Sequence, residues 1–148
     1  MFIFNHLCGV ILHISGRGIS RGRGTGSLLV SPVPISFLSG VDPETGIIVE
    51  KGHPLQGICI AGMVLAFPYG KGSTVGSYVL YALSRNGHAP AAIINTEAEA
   101  IIATGAIIGR IPMIDRISVP LARLKDSVLV TVDGDHGDME YDGELKDA

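Results

Sequence analysis

Glycine and proline punctuate this chain so often that no long helix fits between them. Twenty Gly and eight Pro among 148 residues cut the apolar sequence into short runs, because Gly leaves the backbone unrestrained and Pro removes an N–H that a helix interior needs. A single long helical bundle is excluded. The runs fall at residues 9–14, 26–30, 46–49, 58–67, 91–94, 106–108 and 127–132, and most are strand-length and rich in Val and Ile. Two stretches read as helices instead. In residues 73–85, Val75, Tyr78, Val79, Ala82 and Leu83 recur at the spacing of one helix face, and Asn86-Gly87 supplies a stop. In residues 96–104, Thr96 and Glu99 form a T-x-x-E capping box, with Ile101 and Ile102 as the buried side and Gly105 as the end. Seven strands with two short helices packed on them predict an α/β domain with a β-rich core.

Composition narrows the class. With 47% hydrophobic and 17% charged residues the chain is too apolar for intrinsic disorder, and its length suits one domain. Seven of its fourteen acids lie after Val132 with only Lys146 against them. This predicts a folded domain over residues 1–132 and a mobile acidic tail over 133–148. Without that tail, ten basic and seven acidic residues leave the body at about +3, which suits an anionic substrate. The chain as a whole has a pI near 5.9 and 5% aromatics with no Trp, so it lacks both the basic face and the stacking rings expected of a nucleic-acid binder.

Cys8 and Cys59 stand far apart with no C-x-x-C partner, which predicts free thiols and a reducing, cytoplasmic setting. Two thiols are too few for a four-iron cluster, so a cluster serving this chain would sit on another one. The apolar start at residues 1–12 has no basic flank and no A-x-A-like cleavage site, and reads as a first strand. The longest later run, 58–67, is about half of the roughly 20 residues that cross a bilayer. No membrane contact is expected.

The most informative stretch for chemistry is Phe67-Pro68-Tyr69-Gly70-Lys71-Gly72-Ser73-Thr74. It ends a strand, turns on two glycines and opens a helix, the arrangement in which backbone N–H groups and a lysine hold an anion. It is not a Walker A loop: Leu65 stands where that motif needs Gly, and Gly72 where it needs Ser or Thr. A plain helix cap by Ser73 or Thr74 explains the same residues about as well. The run from Ser36 through Gly40, Asp42-Pro43 and Gly46 reads first as a surface turn. His53 has no second ligand at metal spacing. Gly16-Arg17-Gly18-Ile19-Ser20-Arg21-Gly22-Arg23-Gly24 precedes the strand at 28–30 and not a helix, so it reads first as a basic exposed turn, with a patch that steers phosphate or nucleic acid as the alternative, and not as a dinucleotide fingerprint.

In order, the 26–31 strand, Ser36-Phe37-Leu38-Ser39-Gly40-Val41-Asp42-Pro43-Glu44-Thr45-Gly46, His53-Pro54-Leu55-Gln56-Gly57, Gly70-Lys71-Gly72-Ser73-Thr74 and Ala89-Pro90-Ala91-Ala92-Ile93 resemble the swivel domain of the aconitase X family. The resemblance spans about residues 14–116. It implies a swivelling β/β/α fold. For a free-standing chain it also implies the small subunit of a heterodimeric hydro-lyase that removes water from (R)-5-phosphomevalonate to give trans-anhydromevalonate 5-phosphate in an archaeal mevalonate route. The implied large subunit holds a [4Fe-4S] cluster through three cysteines, and none is bound by this chain. The implied base is Ser73, with Lys71, Gly72, Thr74, Gly40 and Asp42 around the substrate, a small phosphorylated hydroxy acid. Two other readings stay open at this point: a related dehydratase acting on a hydroxyproline, and a non-catalytic swivel-fold assembly module.

Overall fold

In the computed structural model, which describes residues 3–4, 9–72 and 74–147, side chains on the central strands alternate between two separate cores. On β5 (Val64–Phe67) Val64 and Ala66 face one core, and Leu65 and Phe67 the other. On β6 (Ala92–Asn95) Ala92 and Ile94 oppose Ile93 in the same way. A strand buried on both faces carries no polar alternation, which explains the unbroken Val/Ile/Ala runs. β4 (Arg23–Val30), β5, β6 and β7 (Met113–Asp115) are parallel neighbours. The sheet continues antiparallel from β4 through β8 (Leu129–Asp133), β9 (Asp138–Asp142), β2 (Gly9–Ser15) and β1 (Ile3–Phe4), and at its other edge through β3 (Arg17–Ser20). Gly16 N donates to Gly137 O at 2.8 Å, so the β8–β9 turn is tied to the start of β3 and the sheet curls around the first core. The second core lies beneath α1 (Gly76–Arg85) and α2 (Ala100–Ile108). This is the β-rich α/β domain that the sequence predicts.

Several elements depart from the expected pattern for local reasons. α1 begins at Gly76, not at residue 73, and turns Gly76, Leu80 and Leu83 inward. Tyr78 stays 68% exposed. Glu99 is itself the N-cap of α2, its carboxylate accepting from Ile101 N at 2.9 Å and Ile102 N at 2.8 Å, so it does not serve as the far end of a box begun by Thr96. α2 then runs through Gly105 to Ile108 and takes in the run at 106–108 that reads as a strand. A Cβ at Gly105 would lie 2.6 Å from Leu80 Cδ1. That glycine is therefore a contact point between helices and not a stop. Residues 46–49 form only isolated bridges, Val41 to Ile48 and Ile47 to Cys59.

The acidic stretch is not a mobile tail from residue 133 onward. β9 lies between β2 and β8 with Met139 and Tyr141 buried, so the sheet does not end at residue 132. Its acids alternate outward, and Asp138 pairs with His13 at 3.0 Å.

The arginine-glycine run is likewise a strand and not an exposed turn. Arg17 on β3 lies opposite Asp115 on β7, its Nε 2.9 Å from Oδ1 and Nη2 2.8 Å from Oδ2. The Asp115 side chain is fully buried, and Ala98 N also donates to Oδ2 at 2.7 Å. Burial pushes this carboxyl up, but the Arg17 guanidinium and the Ala98 N–H outweigh it and hold it below the usual carboxylate range. A depressed folded-state value means stability that is present above the unfolded value and lost as pH falls through the folded one. Arg17→Leu leaves a buried carboxylate with one backbone donor. Stability should fall, because the fully buried carboxylate loses its charged partner while the solvent at the half-exposed Arg17 side compensates only in part. Urea unfolding at neutral pH reads this loss, and an unchanged midpoint would show the pair to be idle.

Candidate functional site

The chain leaves β5 at Phe67 and enters a loop that lies against the segment following β4. Ile35 and Gly70 form a parallel bridge, with Lys71 N donating to Ile35 O at 3.0 Å and Ile35 N to Tyr69 O at 3.4 Å. His53 pins that segment. Leu55 N donates to its Nδ1 at 3.0 Å, which leaves the hydrogen on Nε2, 3.2 Å from Pro34 O. His53 is thus a satisfied structural histidine.

Lys71 Nζ is 2.9 Å from Glu50 Oε2, and Ser36 N donates to the other Glu50 oxygen at 3.4 Å. Burial pushes the Glu50 carboxyl up. Lys71 and the Ser36 N–H pull harder and hold it below the ordinary range. Gly72 adopts φ +97°, a backbone that favours glycine, and a Cβ there would lie 3.1 Å from Ser36 Oγ. Gly40 is buried, and its carbonyl accepts from Val49 N at 2.9 Å and Glu50 N at 3.2 Å. Gly40, Lys71 and Gly72 therefore converge around Glu50 and Ser36. Asp42 does not join them: its carboxylate accepts from Glu44 N at 2.9 Å and closes its own turn. Thr74 is exposed, and its carbonyl accepts from Ser77 Oγ at 3.1 Å. Ser73 lies outside the described residues.

Beside the loop is a cleft of about 130 Å³ lined by Phe37, Gly70, Lys71, Gly72, Gly76 and Glu99 with Ile101 and Ile102. The first turns of both helices border it. Val75, at the N-cap of α1, has no polar side chain to cap that turn, whereas Glu99 spends both carboxylate oxygens on α2. An anion approaching the loop meets a helix start and a lysine, but that lysine is already balanced by Glu50. At the end of β6, Asn95 is fully buried and donates to Phe67 O at 3.0 Å, which steadies the residue where the loop begins.

Glu50 is the residue that sequence reasoning misses. It follows a short apolar run and has no periodic relation to Lys71; only the packing of the 35–40 segment against the 69–72 loop joins them. Ser36 stands in a stretch the sequence singles out, and its backbone N–H marks it here. No three His, Cys, Asp or Glu side chains converge among the described residues, and Cys59 donates its thiol to Thr45 O at 3.4 Å. These residues make no seat for an iron–sulfur cluster, and Cys8 lies outside the described residues. No helix among the described residues is long and apolar enough to cross a membrane.

A parallel core roofed by two helices, extended into a curled antiparallel sheet and carrying one glycine-lysine loop over a small cleft, defines an α/β domain of the swivel type. The chain belongs to the aconitase X swivel-domain family, whose model matches residues 13–141 and so takes in most of β9. It is 57% identical over 130 residues to the phosphomevalonate dehydratase small subunit of Methanocella arvoryzae, covering 87% of this chain and 98% of that one. The protein of the same name from Thermococcus kodakarensis is 53% identical, with 90% of this chain and 100% of the other covered. Among solved structures, the crystal structure of Thermococcus kodakaraensis aconitase X in its holo-form superposes with a TM-score of 0.84 at 52% identity, covering 88% of this chain and 98% of that one. The solution NMR structure of a UPF0107 protein gives 0.77 at 44% identity, covering 92% and 100%.

Proposed function

We propose that this chain is the small subunit of a heterodimeric hydro-lyase that dehydrates (R)-5-phosphomevalonate to trans-anhydromevalonate 5-phosphate. The observation that carries the reading is near end-to-end similarity, 53–57% identical, to chains named phosphomevalonate dehydratase small subunit. The intact Gly70-Lys71-Gly72 loop supports it, since an assembly module has no evident use for a left-handed glycine turn that holds a lysine over a cleft. The partner is a large subunit, and a [4Fe-4S] cluster held by that subunit, not by this chain's described residues, would supply Lewis acidity toward the departing hydroxyl.

This chain's share is binding and proton transfer. The proton removed lies next to a carboxylate and is weakly acidic, so a serine serves as base only where positive charge and oriented donors stabilise its alkoxide. Ser73 Oγ takes that proton. Lys71 faces the substrate's anionic end with the donors left over from Glu50. Glu50 balances part of the Lys71 charge, so Lys71 meets the anionic substrate as one member of an ion pair and not as a free cation.

An anaerobic dehydration assay on (R)-5-phosphomevalonate tests the reading. Activity is expected only when this chain and its large subunit are combined, with a brown, oxygen-sensitive chromophore arriving with the partner. Full turnover by this chain alone would overturn the two-subunit assignment. Turnover by the pair on a hydroxyproline, with none on phosphomevalonate, would overturn the substrate.

A further inference from the structure

We infer that Glu50 is a positioning residue for the reaction: it acts through Lys71, fixing the direction of that ammonium at the mouth of the cleft. The inference rests on the function proposed above and goes beyond it by adding a residue that touches no substrate. Glu50 joins three segments that are distant in sequence. Its own backbone N–H donates to Gly40 O at 3.2 Å, one carboxylate oxygen accepts from Ser36 N at 3.4 Å, and the other holds Lys71 Nζ at 2.9 Å. The carboxylate is therefore held at both oxygens, and its side chain is only 22% exposed. Lys71 is different. Its side chain is 47% exposed, and a lysine there would ordinarily sample many rotamers. Anchoring one of its three N–H donors to a fixed carboxylate leaves two with a defined direction, and such preorganisation gives an oriented group its advantage over a mobile one.

Glu50 has a second consequence for the same ammonium. A carboxylate at 2.9 Å competes with an anionic substrate for Lys71, so the pair trades ground-state affinity for orientation. This predicts opposite movements of the two kinetic constants. In Glu50→Gln the amide keeps the size and an acceptor for Ser36 N–H but loses the charge. In the assembled enzyme kcat should fall about tenfold or more, as misplacement of a positioned group does, while KM for phosphomevalonate stays level or falls. A purely architectural role would lower the amount of assembled enzyme without this split.

The deciding experiment is a double-variant cycle, Glu50→Gln, Lys71→Gln and both together, in the two-subunit enzyme at matched assembly and iron content. If Glu50 works through Lys71, the kcat of the double variant equals that of Lys71→Gln. A kcat for Glu50→Gln within about twofold of wild type, or multiplicative losses in the double variant, would overturn the proposal. So would failure of Glu50→Gln to assemble where Lys71→Gln assembles, since the Ser36 contact would then carry the role. A readout free of catalysis separates this from the function itself: competitive acetylation of the full chain, read by mass spectrometry. Glu50→Gln should raise labelling at Lys71 several-fold relative to Lys51. Unchanged labelling refutes the anchoring. An inactive wild-type pair with raised labelling refutes the assigned reaction and leaves the anchoring in place.

Discussion

A chain truncated after Gly137 will not fold. β9 is an interior strand, registered over five residue pairs with β2 and five with β8, and its loss leaves two unpaired edges in the middle of the sheet. Met139 and Tyr141 are 1% and 0% exposed. Removing two such side chains forfeits about 3–6 kcal/mol of burial at roughly 1.5–3 each. Tyr141 also accepts from Lys125 N at 2.9 Å and donates to Glu144 O at 3.1 Å, which ties the segment ahead of β8 to the chain beyond β9. Together with the lost ladder hydrogen bonds, each worth about 0.5–1.5 kcal/mol net, the loss matches the ~5–15 kcal/mol by which domains are stable at all. Thermal unfolding followed by circular dichroism should show no cooperative transition for the truncated chain. A transition within a few degrees of the full-length one would mean that β9 contributes nothing.

That strand shows what a sequence conceals in plain view. Asp138-Met139-Glu140-Tyr141-Asp142 alternates acid and apolar, the period-2 pattern of a half-buried strand. Charge density hides it, because seven acids in the last stretch read first as a solvated tail. β5 and β6, by contrast, are legible as continuous apolar runs, since both their faces are buried. β3 and β7 are obscured by brevity: three residues on β7 give no period, and the glycine and arginine of β3, set among flanking glycines, resemble a turn until Arg17 meets Asp115 across the register. On α1 the apolar spacing marks a helix and part of its inward face, with Leu83 buried and Val79 packed against the core. Close packing on α2 at Gly105 seats Leu80, which the spacing omits, while Tyr78 and Val75 stay exposed. The glycine-lysine loop is legible because its residue types fix its backbone. Its partner Glu50 is not, because a contact between two loops leaves no periodic trace in either.

Ser73→Ala in the assembled enzyme should abolish most dehydration while leaving the fold intact. The alternative, that this serine only caps a helix, carries a different signature. An N-cap hydroxyl is worth about 0.5–2 kcal/mol of stability and nothing in kcat. α1 itself begins at Gly76 with Val75 at its N-cap, so the two roles are told apart by what Ser73→Ala loses, stability or kcat. Loss of a general base typically costs of order 10²–10⁴-fold in rate with stability unchanged. Lys71→Ala should act more mildly, because its charge is already shared with Glu50 and the start of α1 still favours an anion. The measurement is steady-state dehydration by heterodimers whose subunit ratio and iron content equal those of wild type, beside urea unfolding of the small chain alone. A Ser73→Ala enzyme that keeps more than about a tenth of wild-type kcat would remove Ser73 from the role of base, whatever its effect on stability. A large kcat loss with an unfolding midpoint equal to wild type would place the serine's function in proton transfer alone.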